Sequence, residues 1–442
     1  MRKNVLVIGL GVTGKKAQKV LQKFYNVLTF DEKVASDFTT VRELEDCVRN
    51  LTAENLLEFA LISPGFPPNS LVANLLDELK VNVLSELDVL HILLKLVRTK
   101  KVLIGITGTN GKTTVTRLVT QILNESSILA KSVGNIGESM LEAALDPNIQ
   151  ALVIELSSFQ LHWTKSVDLD IACILNIEQD HTDWHESHDN YERAKYRVFD
   201  GAVYKRITPN DILNSINGQD VMSVLSKSKL AWAARQDGVL WQHLRYDITA
   251  AILIALPLND IMCAELVTNE SIMSALSTFQ LDPHRSEQLR ELMHENGTAT
   301  PVIDDSKATN THASLAAIVA NPLSSVILIL GGLTKGVDFT DYIATAAPHI
   351  KAFILIGKDK ENILNAIRAD EYASRIQLFD IPDNDYVMET AVQRAFSVAT
   401  GNDIILLSPA TASFDQFESY SKRGEKFQEA VRAHFTRYLD DK

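Results

Sequence analysis

Residues 102–123 read VLIGITGTNGKTTVTRLVTQIL: an apolar, β-branched run, a glycine turn, then apolar residues at helical spacing. A strand must enter that turn and a helix must leave it, which makes an α/β sheet the natural frame. Val115, Leu118, Val119 and Ile122 share one helical face. Between the two elements, Gly108 and Gly111 let backbone N–H groups crowd around a phosphate, with Thr109 and Asn110 in the same turn. Lys112 adds a full positive charge, and the hydroxyl of Thr113, followed by Thr114, lies within reach of Mg²⁺. The strict G-x-x-x-x-G-K-[ST] spacing fails because residue 106 is Ile; the shorter G-x-x-G-K-T is met. The short form recurs by chance more often, and the flanking strand and helix restore its weight against the alternative of a glycine turn beside a solvated lysine.

A chain of 442 residues exceeds what one core supports, and three α/β blocks are visible. The first carries NVLVIGLG, NVLTFDE and FALISPG, the second VLIGIT, ALVIEL and IACILNI, the third SVILILGG, KAFILIG and DIILLSPA. RTKK (98–101) reads as a linker, and QLDPHRSEQ (280–288), with Pro283, as a seam. The fold class expected is therefore α/β with three domains. They are an N-terminal Rossmann-like domain (1–98), a central P-loop ATPase-like parallel sheet (102–282) and a C-terminal Rossmann-like domain (283–442). A closing helix carries Phe427, Ala430, Val431, His434, Phe435, Tyr438 and Leu439 on one stripe, whereas residues 204–246 show no clear pattern. Net charge is −13, from 43 basic and 56 acidic residues, which argues against nucleic acid or an anionic membrane as partner. Cys47, Cys173 and Cys263 have no metal or redox spacing, and no apolar run approaches membrane-spanning length. A cytoplasmic monomer acting on small molecules is the expectation.

GLGVTG (9–14) follows a strand and matches G-x-G-x-x-G, with Asp31 at the end of the next strand. Alone, that fingerprint reads as NAD binding; the physics is broader, since the loop binds a diphosphate and UDP-sugars carry one. SPGFPP (63–68), which holds Ser63 and Gly65, ends the third strand and fits the same crevice. Glu155 ends ALVIE and is placed to share a Mg²⁺ with Thr113. NIEQDHTDWHESHDN (176–190) holds three histidines. Zinc is the first thought, but a phosphate crevice prefers oxygen ligands and Mg²⁺. His181, nearest the strand end, is favoured; His185 and His188 read as surface loop residues. The helix YERAKYRVFDGA (191–202) puts Lys195 on the stripe of Tyr191, Ala194, Val198, Phe199 and Ala202, and pattern alone favours a snorkelling ammonium.

These stretches resemble a known family. GTNGKTT, GNIG (134–137), ELSSFQL (155–161), NIEQDHTD (176–183) and YERAK (191–195) are similar to the Mur ligases of peptidoglycan synthesis. PHR (283–285), DDSKATN (304–310), GGLTKGVDF (331–339) and LLSPATASFDQFESYSKRG (406–424) are most like the member that joins D-glutamate to UDP-N-acetylmuramoyl-L-alanine. The resemblance implies an ATP-dependent amide ligase that works through an acyl phosphate, with two Mg²⁺ ions. It implies that Gly11, Val12, Thr13, Ser63 and Gly65 contact the UDP-substrate, that Asp31 and Lys33 lie by the uridine, and that Asn135 reaches the muramoyl-peptide arm. Gly108, Thr109, Asn110, Gly111, Lys112, Thr113, Thr114, Asp247, Arg285 and Asp305 would bind ATP. Thr113, Glu155, His181 and Lys195 would serve the metals, with Lys195 as a CO₂-derived carbamate, which displaces the snorkelling reading. Lys307, Thr309, Lys335, Ser413 and Tyr420 would hold D-glutamate. Two departures bear on the adenine: Asp247 and Ala250 stand where the family often has asparagines, and ITPNDILN (207–214) replaces its N-x-D-D stretch. The rivals are sister ligases, folylpolyglutamate synthase, an NAD-dependent oxidoreductase and a P-loop nucleotide switch.

Overall fold

A computed structural model describes residues 2–216, 239–294, 297–319 and 321–440. Asn4–Ile8 (β1), Asn26–Phe30 (β2), Leu57–Ile62 (β3) and Val83–Leu84 (β4) form a parallel sheet in the order β2-β1-β3-β4. Val102–Thr107 (β5), Ala130–Gly134 (β6), Ala151–Glu155 (β7), Asp168–Ile174 (β8) and Gly201–Ile207 (β9) form a second, in the order β6-β7-β5-β8-β9 and again parallel. β5 and β7 are buried at every residue, which explains why their sequences run apolar without alternation: helices cover both faces. Both sheets belong to one compact unit, residues 2–216 with 245–279. Leu87 and Leu90 from the helix Glu86–Leu96 share a core with Leu141 and Ala144 from the helix Met140–Leu145, and with residues of β1 and β7.

The second unit comprises, of the described residues, 239–244 and 280–440, so its main stretch begins just ahead of Pro283. Its sheet runs β10-β11-β15-β12-β13-β14, from Glu287–Met293 (β10), Ala299–Asp304 (β11), Val326–Gly331 (β12), Ile350–Ile356 (β13), Gln377–Asp380 (β14) and Ile404–Leu407 (β15). All pairs are parallel except β10 with β11, a short antiparallel edge that the apolar pattern did not announce. The order makes β11, β15 and β12 neighbours, so DDSKATN, SPATASFDQF and GGLTKG leave adjacent strand ends. Phe427, Ala430 and Val431 bury against this sheet as the stripe predicts, and Phe396 meets both His434 and Phe435.

One expected helix is shorter than its stripe. His188–Tyr196 is helical, Arg197–Phe199 is a 3₁₀ turn, and β9 begins at Gly201. Gly201 lies so close to β8 that a Cβ would stand 2.0 Å from the Val167 carbonyl oxygen, and pairing with β8 outweighs continued helix. Among the described residues no helix is long and apolar enough to cross a membrane.

Candidate active site

The Gly-Lys-Thr turn joins β5 to the helix Lys112–Glu125, whose N-cap is Gly111 at φ +82. A side chain fails there twice, through the left-handed backbone and because a Cβ would stand 2.6 Å from Asp247 Oδ1. Asn176, just after β8, braces the turn: its Oδ1 accepts from the N–H groups of Thr109 (3.1 Å) and Asn110 (2.9 Å), and its Nδ2 donates to the Asn110 carbonyl. Thr113 is the second residue of the helix, and Thr114 is buried behind it. Asp247 thus sits against Gly111, one helical turn from fully buried Ala250.

Two amines converge on this turn. Lys112 Nζ donates to the carbonyls of Gly108 and Thr109, both at 2.8 Å, and Lys195 Nζ donates to the same Gly108 oxygen at 2.7 Å. Lys195 is only 1% exposed, so it does not snorkel. Burial, reinforced by the Lys112 cation, drives its pKa well below the lysine range, against the pull of Asp180 and Glu155. The Tyr191 ring lies 4.7 Å from Lys195 Nζ, and its hydroxyl meets Thr109 Oγ1 at 2.8 Å. Glu155, at the end of β7, is 1% exposed. Its Oε1 accepts from Asn135 Nδ2 at 2.8 Å, whereas its buried Oε2 accepts no hydrogen bond among the described residues. Asn135, expected at the muramoyl-peptide arm, is therefore tied to the carboxylate expected at the metal.

His181 opens the short helix Thr182–His185 at φ +53, with its ring edge-on to Phe159 and Asp180 Oδ2 at 3.6 Å from Nε2. The expectation for His185 is corrected. It is 3% exposed, bonded through Nε2 to Ser158 Oγ at 2.9 Å, and packed on Phe159, Trp184 and Tyr191. Burial first, then His162, His181 and Lys195, push its pKa down to about 4, so it is a neutral core histidine at pH 7. Of its aromatic neighbours, Phe159 comes from the helix Ser158–Trp163, remote in sequence, and Tyr191 from the nearby helix His188–Tyr196. His188 is half-buried.

The Gly-rich turn at the end of β1 closes on itself: a Cβ on Gly14 would stand 1.8 Å from the Gly9 carbonyl oxygen, and one on Gly9 2.7 Å from Ser63 Cβ. Gly11 caps the helix Val12–Leu21, Val12 is 77% exposed beside Thr13, and Gly65 follows Ser63 in the loop after β3. Asp31 faces inward to this turn. Its Oδ2 accepts from the Leu10 N–H at 2.6 Å and its Oδ1 from those of Lys33 (2.8 Å) and Val34 (3.0 Å). Partial burial works against the charged form, but those three donors and Lys15 outweigh it and hold the carboxyl below the usual range.

In the second unit, Asp305 follows β11 and is buried; it accepts from Ser286 N, Ser286 Oγ and Ser408 Oγ. Burial lifts its pKa to about 7 against those bonds and nearby Arg285. Arg285 has a buried Nε that donates to nothing among the described residues. Lys307 pairs with Asp282 at 2.8 Å, lies 5.6 Å from the Tyr420 ring, and accepts on its carbonyl from the Thr309 N–H. Lys335, at φ +53, and Ser413, 2% exposed, sit on segments joined by reciprocal backbone bonds between Leu333 and Ala412. Arg423 was not singled out from the sequence. It is fully buried, donates to Ser306 and to the Thr411 carbonyl, and is pushed down to about 9 by burial against Asp415 and Asp304. Asn176, Asp180, Tyr191 and Arg423 all lie inside the quoted stretches, but only their three-dimensional partners distinguish them there.

Comparison with known proteins bears on the whole arrangement. The Mur ligase middle domain matches residues 106–231, and the Mur ligase glutamate ligase domain matches residues 284–411. A UDP-N-acetylmuramoylalanine–D-glutamate ligase of Bifidobacterium adolescentis is 32% identical over 97% of this chain and 97% of its own. The ligase of the same name from Natranaerobius thermophilus is 32% identical over 96% of this chain and 97% of its own. Among solved structures, a pseudomurein peptide ligase type C from Methanothermus fervidus superposes with a TM-score of 0.54 at 16% identity, covering 98% of this chain and 99% of that one. UDP-N-acetylmuramate-alanine ligase MurC from Thermotoga maritima does so at 0.51 and 15%, over the full length of both.

Proposed function

Because the chain belongs to the Mur ligase family, among its UDP-N-acetylmuramoylalanine–D-glutamate ligases, we propose that the groups gathered around Gly108 and at the ends of β11, β15 and β12 carry that reaction. The chain is an ATP-dependent ligase of peptidoglycan precursor synthesis. A carboxylate does not condense with an amine in water, so the γ-phosphoryl group first passes to the substrate carboxylate. The D-glutamate amine then attacks the acyl phosphate and phosphate leaves. Catalysis of such a transfer is mainly positioning and charge neutralisation.

The observation that carries this reading is the pair of lysines on the Gly108 carbonyl, with the charge of Glu155 acting on Lys195 and its buried Oε2 without a hydrogen-bond partner among the described residues. Lys112, with the backbone of Gly108, Thr109, Asn110 and Gly111 and the hydroxyls of Thr113 and Thr114, holds the ATP phosphates, while Asp247, Arg285 and Asp305 make the remaining ATP contacts. The residues also fit Mg²⁺, because a buried carboxylate oxygen without a donor is what a hard cation satisfies. Thr113, Glu155, His181 and a carbamate on Lys195 are the groups proposed to hold two such ions. Bound there, Mg²⁺ neutralises phosphate charge. Gly11, Val12, Thr13, Asp31, Lys33, Ser63 and Gly65 hold the UDP moiety, and Asn135 the muramoyl-peptide arm. Lys307, Thr309, Lys335, Ser413 and Tyr420 bind the two carboxylates of D-glutamate.

Phosphate release with ATP, UDP-N-acetylmuramoyl-L-alanine and a panel of amino acids tests the reading. Release is expected with D-glutamate and little with L-glutamate, lysine or diaminopimelate. Comparable release with lysine or diaminopimelate defeats it. Asp31 provides a second check. Its carboxylate shapes the Gly-rich turn through Leu10, so Asp31→Ala is expected to raise KM for the UDP-substrate about tenfold, in keeping with the loss of charge-assisted hydrogen bonds. KM for ATP should stay put; an equal rise in both would mean that the turn is only a scaffold.

A further inference from the structure

The stretch Asp282–Glu287 is held in an unusual backbone. His284 (φ +62) and Ser286 (φ +46) are both left-handed without being glycine, so Arg285 sits between two strained residues. Such conformations are costly and persist only where the surroundings enforce them. Here DDSKATN supplies much of the enforcement. His284 Nδ1 bonds Asp304 Oδ2 at 2.6 Å, and Ser286 N donates to Asp305 Oδ1 at 3.0 Å. Lys307 N donates to the His284 carbonyl at 3.0 Å. The His284 N–H is taken by Glu287 Oε2, and Gln428 Nε2 reaches both Glu287 and Asp304.

His284, Glu287 and Asp304 have the spacing of a metal site. The Gln428 amide nitrogen lies within 3.4 Å of one ligand atom of each, so a hydrogen-bond donor occupies their centre. The cluster is thus a closed polar network around His284, which is 6% exposed, and Asp304, which is fully buried. Its other wall is Gly424, in the helix Tyr420–Asp440. A Cβ on Gly424 would stand 2.2 Å from His284 Nδ1. Glycine inside a helix is unfavourable relative to alanine, and the imidazole is the physical reason for it here.

We propose that His284 and Asp304 form a positioning pair, seated against Gly424, that holds the strained turn and thereby sets Arg285 and the backbone of Lys307. This rests on the reading above, in which Arg285 contacts ATP and Lys307 contacts D-glutamate. Arg285 Nε, buried and without a partner among the described residues, is the donor that the turn presents. Neither His284 nor Asp304 touches substrate in this account; both act through the turn.

Four variants separate the hydrogen bond from the backbone strain. His284→Gly accepts φ +62 freely but loses the donor. His284→Asn tolerates that φ and places an amide N–H near the position of Nδ1. Asp304→Ala removes the acceptor. Gly424→Ala leaves both partners in the sequence and pushes the ring away. Steady-state kinetics with purified full-length enzyme is expected to show kcat/KM for ATP and for D-glutamate reduced about tenfold or more in His284→Gly, Asp304→Ala and Gly424→Ala. His284→Asn should recover most of that loss, and KM for UDP-N-acetylmuramoyl-L-alanine should stay within about twofold throughout. The double variant His284→Gly/Asp304→Ala should be no worse than the poorer single one, the signature of groups acting as a pair. Normal kinetics in His284→Gly, additive losses in the double variant, or an equal loss for the UDP-substrate would each overturn the proposal. A wild-type enzyme without D-glutamate-dependent turnover would instead fail the parent reading.

Discussion

Lys195→Ala is expected to lose about 99% of turnover or more, while the protein stays folded. In the structure the Lys195 amine is buried, shares the Gly108 carbonyl with Lys112, and is driven well below the lysine range by burial and by that neighbouring cation. Two ammonium groups on one carbonyl repel each other; a free amine there can instead react with CO₂ to give an anionic carbamate, the ligand type Mg²⁺ takes. Lys195→Arg should be equally inactive, since a guanidinium neither loses its proton nor forms that carbamate. Small carboxylic acids are expected to restore part of the activity of Lys195→Ala by supplying the missing oxygens. Near wild-type turnover in Lys195→Arg would refute the assignment. A high-resolution map of crystals grown with Mg²⁺ and bicarbonate, showing an unmodified amine, would do so as well.

The same amine makes a stability prediction of opposite sign. With its pKa depressed in the folded protein, the unfolded chain binds a proton that the folded chain lacks, so stability rises with pH towards the ordinary lysine range. Lys195→Met removes that proton uptake and buries an apolar chain of similar length. Metal-free Lys195→Met should therefore melt a few degrees higher than wild type at neutral pH, with a flatter pH dependence, although it is inactive. A lower melting temperature at neutral pH would show that the amine contributes more through Gly108 than burial costs.

Lys112→Ala is the second large effect. Its ammonium is held at 2.8 Å by the Gly108 and Thr109 carbonyls of the turn proposed to bind the phosphates, where the other amine, Lys195, is proposed to act as an anion. A fall in kcat/KM for ATP of about three orders of magnitude is expected, measured by phosphate release, with the melting temperature almost unchanged. Binding of UDP-N-acetylmuramoyl-L-alanine, followed by calorimetry without ATP, should be retained. An ATP dependence within about twofold of wild type would remove the turn from phosphate handling.

Much of this protein is written locally. β-branched runs, glycine turns and helical stripes are short-range features, so the α/β class, the seam near Pro283 and the Gly-Lys-Thr turn between β5 and its helix are all legible in order along the chain. Gly201 marks the limit of that reading: it ends a stripe that continues in sequence, because its neighbour is a carbonyl of Val167, thirty-odd residues away. Partner identity is likewise invisible in one dimension. A lysine on an apolar stripe is compatible with snorkelling until the Gly108 carbonyl, eighty-seven residues earlier, is found to accept its hydrogen bond. His185 reads as a loop residue until Phe159 and Ser158 bury it, and nothing in the sequence shows that the Asp31 carboxylate accepts from the Leu10 N–H. Sequence carried propensity and residue chemistry; which buried donor meets which acceptor was decided only when the strand order brought remote loops to one edge of each sheet, because the cost of an unmade buried bond is set by three-dimensional neighbours.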